Sequence, residues 1–126
     1  MNLNQITVPA LDVPKSIAFY KKLGLTLIVH SNDNYARFIC PDGNSTFSIQ
    51  KSDNQNLASE IKVYFEIESL DEKVKDLIDK GIKIEELPTE KTWLWREAYL
   101  KDPSGNQIIL YFAGENRINP PWKIKS

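Results

Sequence analysis

The segment WLWREAYLK, residues 93–101, contains the side chains of this chain that are best suited to chemistry. Side chains two apart on a β-strand point to the same face, so a strand here would place Trp93, Trp95, Glu97 and Tyr99 together. Tryptophan and tyrosine combine a large apolar area with one polar atom, a mixture typical of small-molecule pockets. A carboxylate among them could orient a ligand or accept a proton. The alternative is structural, with both indoles packing on another module, on the C-terminal tail or on a second subunit.

Composition and charge exclude several classes of function. The 126-residue chain has a formal net charge of −1, so it lacks the basic field that attracts nucleic acid. It has neither a membrane-spanning apolar run nor a signal-peptide pattern, which predicts a cytosolic protein with no membrane partner. Cys40 is the only cysteine, which excludes an internal disulfide, and its apolar context predicts a small buried thiol. His30 is the only histidine, which disfavours most imidazole-based metal and general-base sites.

The chain contains an internal duplication. Residues 6–25 align without a gap on residues 63–82, with their apolar positions in register and a glycine at the same place. Each copy predicts a short strand and then a helix that begins after Asp12 or Ser69 and ends at that glycine. Three strand-like segments follow in each half, LTLIVH, YARFIC and TFSIQ in the first and IKIEEL, WREAYLK and NQIILYF in the second. The sequence therefore predicts two tandem βαβββ modules.

These modules predict a single α+β domain, with module 1 at about 3–50, a linker at about 51–60, module 2 at about 61–113 and a tail at 114–126. One helix covers one face of each sheet, so alternating apolar residues mark the helix side, and Leu94, Ala98 and Leu100 belong to it. The residues between the apolar ones mark an open face. We expect that face to carry Gln5, Thr7, Thr46, Ser48, Gln50, Lys62, Tyr64, Glu66, Trp93, Trp95, Glu97, Tyr99, Gln107, Ile109 and Tyr111.

The chain resembles the vicinal oxygen chelate superfamily in its tandem βαβββ pattern and in two motifs, NQITVPALDVPKSIAFYKKLGL and LKDPSGNQIILY. That superfamily includes glyoxalase I, extradiol dioxygenases and the fosfomycin and bleomycin resistance proteins. The resemblance implies a glyoxalase-like fold in which each module forms a half-open sheet and the two sheets form a cleft. It also implies a homodimer, with the modules pairing within one chain or between two chains.

The metalloenzymes of this family use four ligands, one from the first and last strand of each module. The resemblance places those four positions at Gln5, Ser48, Lys62 and Ile109. Some glyoxalases use glutamine as a ligand, but a serine, a protonated lysine and an isoleucine cannot complete a divalent site that needs carboxylate or imidazole donors. We therefore expect no cofactor. The alternative is a divalent metal ion held through Gln5 in a lyase or dioxygenase of the family.

Three functions remain open at this point. The first is a metal-independent aromatic cleft that binds a small organic molecule through Gln5, Thr7, Arg37, Ser48, Lys62, Tyr64, Trp93, Trp95, Tyr99 and Tyr111. The second is metal-free catalysis in which Glu97 or Glu66 is a general base beside Lys62, the structural alternative being an ion pair with Lys62 or Arg96. The third is a non-catalytic dimeric scaffold whose tail, AGENRINPPWKIKS, delivers Trp122 to the cleft or to a partner subunit.

Overall fold

A computed structural model describes residues 1–54 and 60–125 of the chain. Its elements are β1 (Gln5–Ala10), α1 (Val13–Leu23), β2 (Thr26–Ser31), β3 (Tyr35–Ile39), β4 (Thr46–Lys51), β5 (Lys62–Glu66), α2 (Leu70–Asp79), β6 (Glu86–Glu90), β7 (Arg96–Lys101), β8 (Gln107–Phe112) and the 3-10 helix η1 (Gly114–Arg117). This order confirms the predicted α+β fold of two tandem βαβββ modules. Residues 55–59 of the predicted linker lie outside the described residues.

The structure separates into two compact units. Unit 1 comprises Met1–Glu60 and Asp102–Asn106, and unit 2 comprises Ile61–Lys101 and Gln107–Ser126. Each unit has a four-stranded sheet, with strand order β1-β4-β3-β2 in unit 1 and β5-β8-β7-β6 in unit 2. The first strand of each module pairs in parallel with the last, and the other neighbours are antiparallel. No helix in the described part of the chain is both long and apolar enough to cross a bilayer.

The core of unit 1 lies between α1 and the sheet. Asp12 caps α1 by accepting a hydrogen bond of 3.0 Å from a backbone N–H of the first turn, and Gly24 ends the helix with φ 110°. Tyr20 is fully buried from α1, with its ring centroid 5.7 Å from that of Phe38 and 4.6 Å from that of Phe47. Each buried ring stabilises the unit by about 2 kcal/mol through the apolar area that it removes from water.

The turn between β7 and β8, residues Asp102–Asn106, belongs to unit 1. Asp102 is buried, and its carboxylate accepts four hydrogen bonds. The donors are Tyr20 OH at 2.6 Å, the Asn106 side chain at 2.8 Å, and the backbone N–H groups of Ser104 and Asn106 at 2.9 Å each. The Asn106 amide also donates to a backbone carbonyl of β1 at 2.8 Å. The aspartate of the Asp-Pro-x-Gly-Asn motif is therefore a structural centre of unit 1.

Two strands of unit 2 begin later than the sequence pattern predicts. β6 covers Glu86–Glu90 instead of residues 82–87. The reason is that Ile82 closes the end of α2, since its N–H donates to Leu77 O at 3.0 Å and its side chain is buried. β7 begins at Arg96, so Trp93 and Trp95 lie in the preceding turn and not in a strand.

Leu94 departs from the predicted helix side of the sheet. Its φ of 69° breaks the extended backbone, and its side chain is 43% exposed. Ala98 and Leu100, which follow within β7, are fully buried. The predicted alternation of helix-side and open-face residues therefore holds within β7 and fails in the turn that precedes it.

Two smaller predictions also change, those for Ser69 and Cys40. Ser69 precedes α2, but its side chain makes no capping hydrogen bond. Cys40 follows the end of β3 and is only partly buried, and this burial raises the pKa of its thiol. His30 is exposed on β2, where its Nε2 lies 2.7 Å from Asp33 Oδ1. None of these three side chains contributes to the faces described below.

Candidate functional site

One face of the unit 2 sheet collects the predicted aromatic residues. The strand register places Glu97 opposite Tyr111 and Tyr99 opposite Ile109, and Tyr64 pairs with Ile109 from the other side. Residues directly opposite one another on neighbouring strands share a face. We call this surface the aromatic face and define it by Tyr64, Trp93, Trp95, Glu97, Tyr99, Ile109 and Tyr111.

Trp95 is anchored within the aromatic face by stacking. Its ring lies on Tyr111 at a centroid distance of 4.7 Å and an interplanar angle of 17°. Tyr64 meets both rings edge-on, at 5.9 Å from Trp95 and 5.6 Å from Tyr111. The Trp95 indole N–H donates to Asn116 O in η1 at 3.3 Å. Such aromatic pairs contribute about 0.5–1.5 kcal/mol beyond their buried area, so this cluster holds its geometry.

Glu97 is buried beside the polar edges of two of these rings, with only 1% of its surface exposed. Its Oε2 accepts a hydrogen bond of 2.9 Å from Trp93 Nε1, and its Oε1 accepts one of 2.6 Å from Tyr99 OH. The hydrogen bond to Glu97, with burial, raises the pKa of Tyr99 well above its ordinary value. Burial and the Glu97 charge also raise the pKa of Tyr64. Both phenols therefore stay neutral at physiological pH.

The ion pair considered for Glu97 is not formed with Arg96. Arg96 instead donates to both carboxylate oxygens of Asp71 at 2.9 Å and lies 3.5 Å from Glu90. Arg96 and Glu97 are adjacent in β7, so their side chains point to opposite faces of the sheet. The hydrogen bonds described for the Glu97 carboxylate therefore come from neutral groups, the Trp93 indole and the Tyr99 phenol.

The turn before β7 directs both tryptophans to the aromatic face. Its backbone is closed by hydrogen bonds from Lys91 N to Trp95 O at 2.8 Å and from Leu94 N to Lys91 O at 3.0 Å. Leu94 adopts a left-handed backbone conformation, which costs a residue with a Cβ about 1–2 kcal/mol. Trp93 then bonds Glu97, while Trp95 stacks on Tyr111. The two indoles reach one face as expected, although through a strained turn instead of a strand.

Glu66 and Lys62, the other candidates for chemistry, lie in β5 with Tyr64, and Glu66 is opposite Tyr111, but neither is bonded to Glu97 in the described contacts. Glu66 Oε2 accepts hydrogen bonds from the backbone N–H groups of Ala113 at 2.9 Å and Gly114 at 3.0 Å. Its Oε1 lies 3.8 Å from Arg117 Nε. Lys62 is exposed at the start of β5. Because the oxygens of Glu66 hold the beginning of the tail, this residue has a structural task that competes with a role as general base.

The corresponding face of unit 1 is polar, and its side chains bond one another. Gln5 Nε2 donates to Ser48 Oγ at 2.9 Å and to Thr7 Oγ1 at 3.2 Å. Thr46 donates to Gln5 Oε1. Ser48 is fully buried, whereas Gln5 and Thr7 are exposed. The predicted contact residues Gln5, Thr7 and Ser48 are thus brought together within one network.

Tyr35 joins this network and was not among the predicted site residues. Its OH lies 2.7 Å from Ser48 Oγ and accepts a hydrogen bond of 2.8 Å from Arg37 Nε. The hydrogen bond with Ser48, together with Arg37, lowers the pKa of Tyr35. The spacing of two between Tyr35 and Arg37 in β3 was the available signal, since it places both on one face.

The four metal-ligand positions of the family do not form a donor set for a divalent cation. In unit 1, Gln5 directs its amide N–H to Ser48, and both atoms are engaged in the polar network. In unit 2, Ile109 is fully buried and has no donor atom, and Lys62 carries a positive charge. Across residues 1–54 and 60–125, no group of three or more His, Cys, Asp or Glu side chains could hold a metal ion. The residues present therefore do not fit the metal of the family's metalloenzymes.

Comparison with known protein sequences gives a family and a relative. A sequence model of the Glyoxalase/Bleomycin resistance protein/Dioxygenase superfamily matches residues 2–110. The chain is 32% identical over 127 residues to the uncharacterized protein YraH of Bacillus subtilis (strain 168), an alignment that covers 88% of this chain and 98% of YraH.

Comparison with solved structures agrees with this assignment. A bleomycin-binding protein complexed with bleomycin superposes with a TM-score of 0.73 at 20% identity, covering 89% of this chain and 98% of that protein. A bleomycin resistance determinant encoded on the transposon Tn5 gives 0.74 at 20% identity, with the same coverage. A glyoxalase/bleomycin resistance protein/dioxygenase family enzyme from Burkholderia phytofirmans PsJN gives 0.71 at 19% identity, covering 90% and 99%. These superpositions show a common fold. The match of the family model to residues 2–110 establishes that the chain belongs to the Glyoxalase/Bleomycin resistance protein/Dioxygenase superfamily, with the vicinal oxygen chelate fold.

Proposed function

We propose that the aromatic face of unit 2 binds a small organic molecule by ring stacking, without a metal ion. The observation that carries this proposal is the exposure of two rings beside the ordered stack, since Tyr64 and Trp93 are each 42% exposed. Aromatic surface left in water is unfavourable, and clustered exposed rings with a few ordered polar atoms are typical of ligand sites. Trp95 and Tyr111 supply a rigid base, which lowers the entropy lost when a ligand stacks.

The strained turn supports the same proposal. Leu94 keeps a left-handed backbone conformation at the point where the chain carries Trp93 and Trp95 to one face. Strain of this kind persists where surrounding structure enforces it, and it concentrates at functional sites. The relative crystallised with bleomycin adds that this fold supports binding of a small molecule in at least one member.

The polar residues predicted from the sequence as ligand contacts lie in both units, and the proposal for the aromatic face of unit 2 does not depend on those of unit 1. Gln5, Thr7, Arg37 and Ser48 are linked through the network of unit 1, and Lys62 is exposed in unit 2. Metal-free catalysis by Glu97 receives less support, because both of its oxygens already accept hydrogen bonds. Binding without a reaction is therefore the function that the geometry favours.

Ligand-observed NMR with a panel of planar aromatic fragments tests the proposal. We expect compounds that bind the native protein to lose most of their saturation-transfer signal with Tyr64→Ala, which removes a half-exposed ring and little core. Phe112→Ala is the matched control, because Phe112 is 39% exposed and lies opposite Arg96, on the other face of the same sheet. Equal signals from the native protein and Tyr64→Ala across the panel would refute the proposed site. Circular dichroism would verify that both variants are folded.

The homodimer and the role of the tail stay predictions. In unit 2 the tail contacts the aromatic face through Asn116 O and Trp95, and it contacts Glu66 through Arg117. Deleting residues 115–126 is therefore expected to lower the melting temperature, and light scattering would report whether a dimer dissociates. Unchanged melting and unchanged mass would contradict a structural or dimer-forming role of the tail.

A further inference from the structure

Glu97 is a buried carboxylate whose described partners are neutral. Its two hydrogen bonds come from an indole N–H and a phenol O–H. Among the ion pairs of the described residues, none includes Glu97, and the three nearest cations along the chain are used elsewhere. Lys101 pairs with Glu85. Arg96 pairs with Asp71, and Lys91 pairs with Glu86. Neutral donors satisfy the lone pairs of a carboxylate but leave its net charge without compensation in a place with little water.

The charge of Glu97 is transmitted to the rings that bond it. A hydrogen bond from a ring N–H or O–H to a carboxylate moves electron density into that ring, so its face becomes more attractive to a cation. Trp93 and Tyr99 are the two rings in this position. Tyr64 is a third ring of the face, and burial, together with the Glu97 charge, raises its pKa.

The chain itself provides an example of this attraction. Lys91 Nζ lies 5.1 Å from the centroid of the Tyr99 ring, within the range of a cation–π interaction. Trp93, the other ring bonded to Glu97, is 42% exposed, and neither of the two cation–π contacts of the described residues involves it. Tryptophan is the side chain that binds cations best through its ring face. The arrangement therefore offers a further cation a place that Lys91 does not fill.

We propose that the ligand of the aromatic face is an organic cation, of the class of planar aromatic ammonium or iminium compounds, selected by the buried charge of Glu97. This inference rests on the proposed function and adds the sign of the ligand's charge. A planar ring stacks on the aromatic side chains, while its positive charge compensates Glu97 without displacing Trp93 or Tyr99. Formation of a direct ion pair is not required, because the attraction acts through the rings.

Calorimetry with two planar probes that differ in charge and by one methyl group tests the inference. N-methylquinolinium is a cation, and quinoline is its neutral counterpart in buffer at pH 8. We expect the native protein to bind N-methylquinolinium about tenfold more tightly than quinoline, as a partly desolvated cation–π contact provides. In Glu97→Gln, which keeps the size of the side chain and removes its charge, we expect that preference to fall to about twofold or less. Glu72→Gln is the matched control, since it removes one negative charge from the exposed side of α2 and should keep the preference.

The outcomes separate this inference from the proposed function. Equal affinity of the native protein for both probes would overturn the cation preference and leave a neutral-ligand site in place. Absence of binding by both probes would count against the stacking site itself and against this inference with it. A preference that survives unchanged in Glu97→Gln would show that Glu97 is not its source. The comparison of both probes on the native protein decides the sign of the charge even if Glu97→Gln does not fold.

Discussion

Replacing Asp102 by asparagine is a direct test of the hydrogen-bond centre of unit 1. The carboxylate accepts two hydrogen bonds on Oδ1, from backbone N–H groups, and two on Oδ2, from Tyr20 OH and the Asn106 side chain. Asparagine retains one oxygen and puts an NH₂ group in place of the other. In either orientation two donors lose their acceptor, and two donor groups face the new amide.

The expected loss follows from this count. A hydrogen bond to a charged group contributes about 1.5–3 kcal/mol net, so loss of two should lower the free energy of unfolding by at least about 3 kcal/mol. Tyr20→Phe removes only one donor and should cost about 1.5 kcal/mol. Because Tyr20 OH and Asp102 Oδ2 are 2.6 Å apart, the double variant should show a coupling energy of about 1 kcal/mol or more.

Urea denaturation followed by circular dichroism measures these differences. Asp76→Asn is the matched control, because Asp76 pairs with Lys80 at 3.1 Å on the surface and should change stability by less than about 0.5 kcal/mol. A loss below about 1 kcal/mol in Asp102→Asn, or additive effects in the double variant, would refute the assignment of Asp102 as a structural centre.

Three further perturbations test other features of the structure. Alkaline titration followed by phenolate absorbance should show Tyr35 ionising before the other four tyrosines, because the hydrogen bond with Ser48 lowers its pKa whereas the pKa values of Tyr20, Tyr64, Tyr99 and Tyr111 are raised. Tyr35→Phe should remove that first step. The four tyrosines with raised pKa values contribute stability below about pH 10, and that contribution should decline above it. Ser16→Ala should raise the free energy of unfolding by about 1 kcal/mol, since the buried Ser16 Oγ has no hydrogen-bond partner among the described residues; a lower free energy of unfolding in chemical denaturation would contradict this. Leu94→Gly should be more stable than Leu94→Ala by about 1 kcal/mol, because only glycine adopts φ 69° without strain; equal stabilities would show that the turn is not strained.

Local patterns in the sequence were sufficient for most of the fold. The helix that begins after Asp12 and ends at Gly24 follows from a capping side chain and a residue that tolerates positive φ. The alternation in residues 107–112 correctly separates Ile108 and Leu110 from Ile109 and Tyr111. These signals depend on neighbours within a few residues, so they can be recognised without the tertiary structure. The tandem arrangement could be predicted for the same reason, since the βαβββ pattern occurs twice.

Prediction from local patterns was wrong where the chain leaves regular secondary structure, before β7. The pattern of alternating residues in WLWREAYLK suggested a strand throughout, whereas Leu94 adopts a left-handed conformation and β7 begins at Arg96. No short-range signal identifies this turn, because leucine rarely occurs at positive φ. The positions of Trp93 and Trp95 are stabilised by contacts with Glu97, Tyr111 and Asn116. Those partners compensate the strain, and they are brought together only by the folded chain.

The sequence by itself determined the order of strands and helices, the family of the protein, and the poor match of Ser48, Lys62 and Ile109 to metal ligands. These conclusions depend on residue types and local periodicity. The tertiary structure alone decided the hydrogen-bond partners. Asp102 accepts a hydrogen bond from Tyr20, 82 positions away, Tyr35 bonds Ser48, and Glu97 accepts hydrogen bonds from Trp93 and Tyr99. The physical reason is that hydrogen bonds and charge compensation depend on distance in space, and a sequence pattern gives the face of a residue but not the atom that it meets.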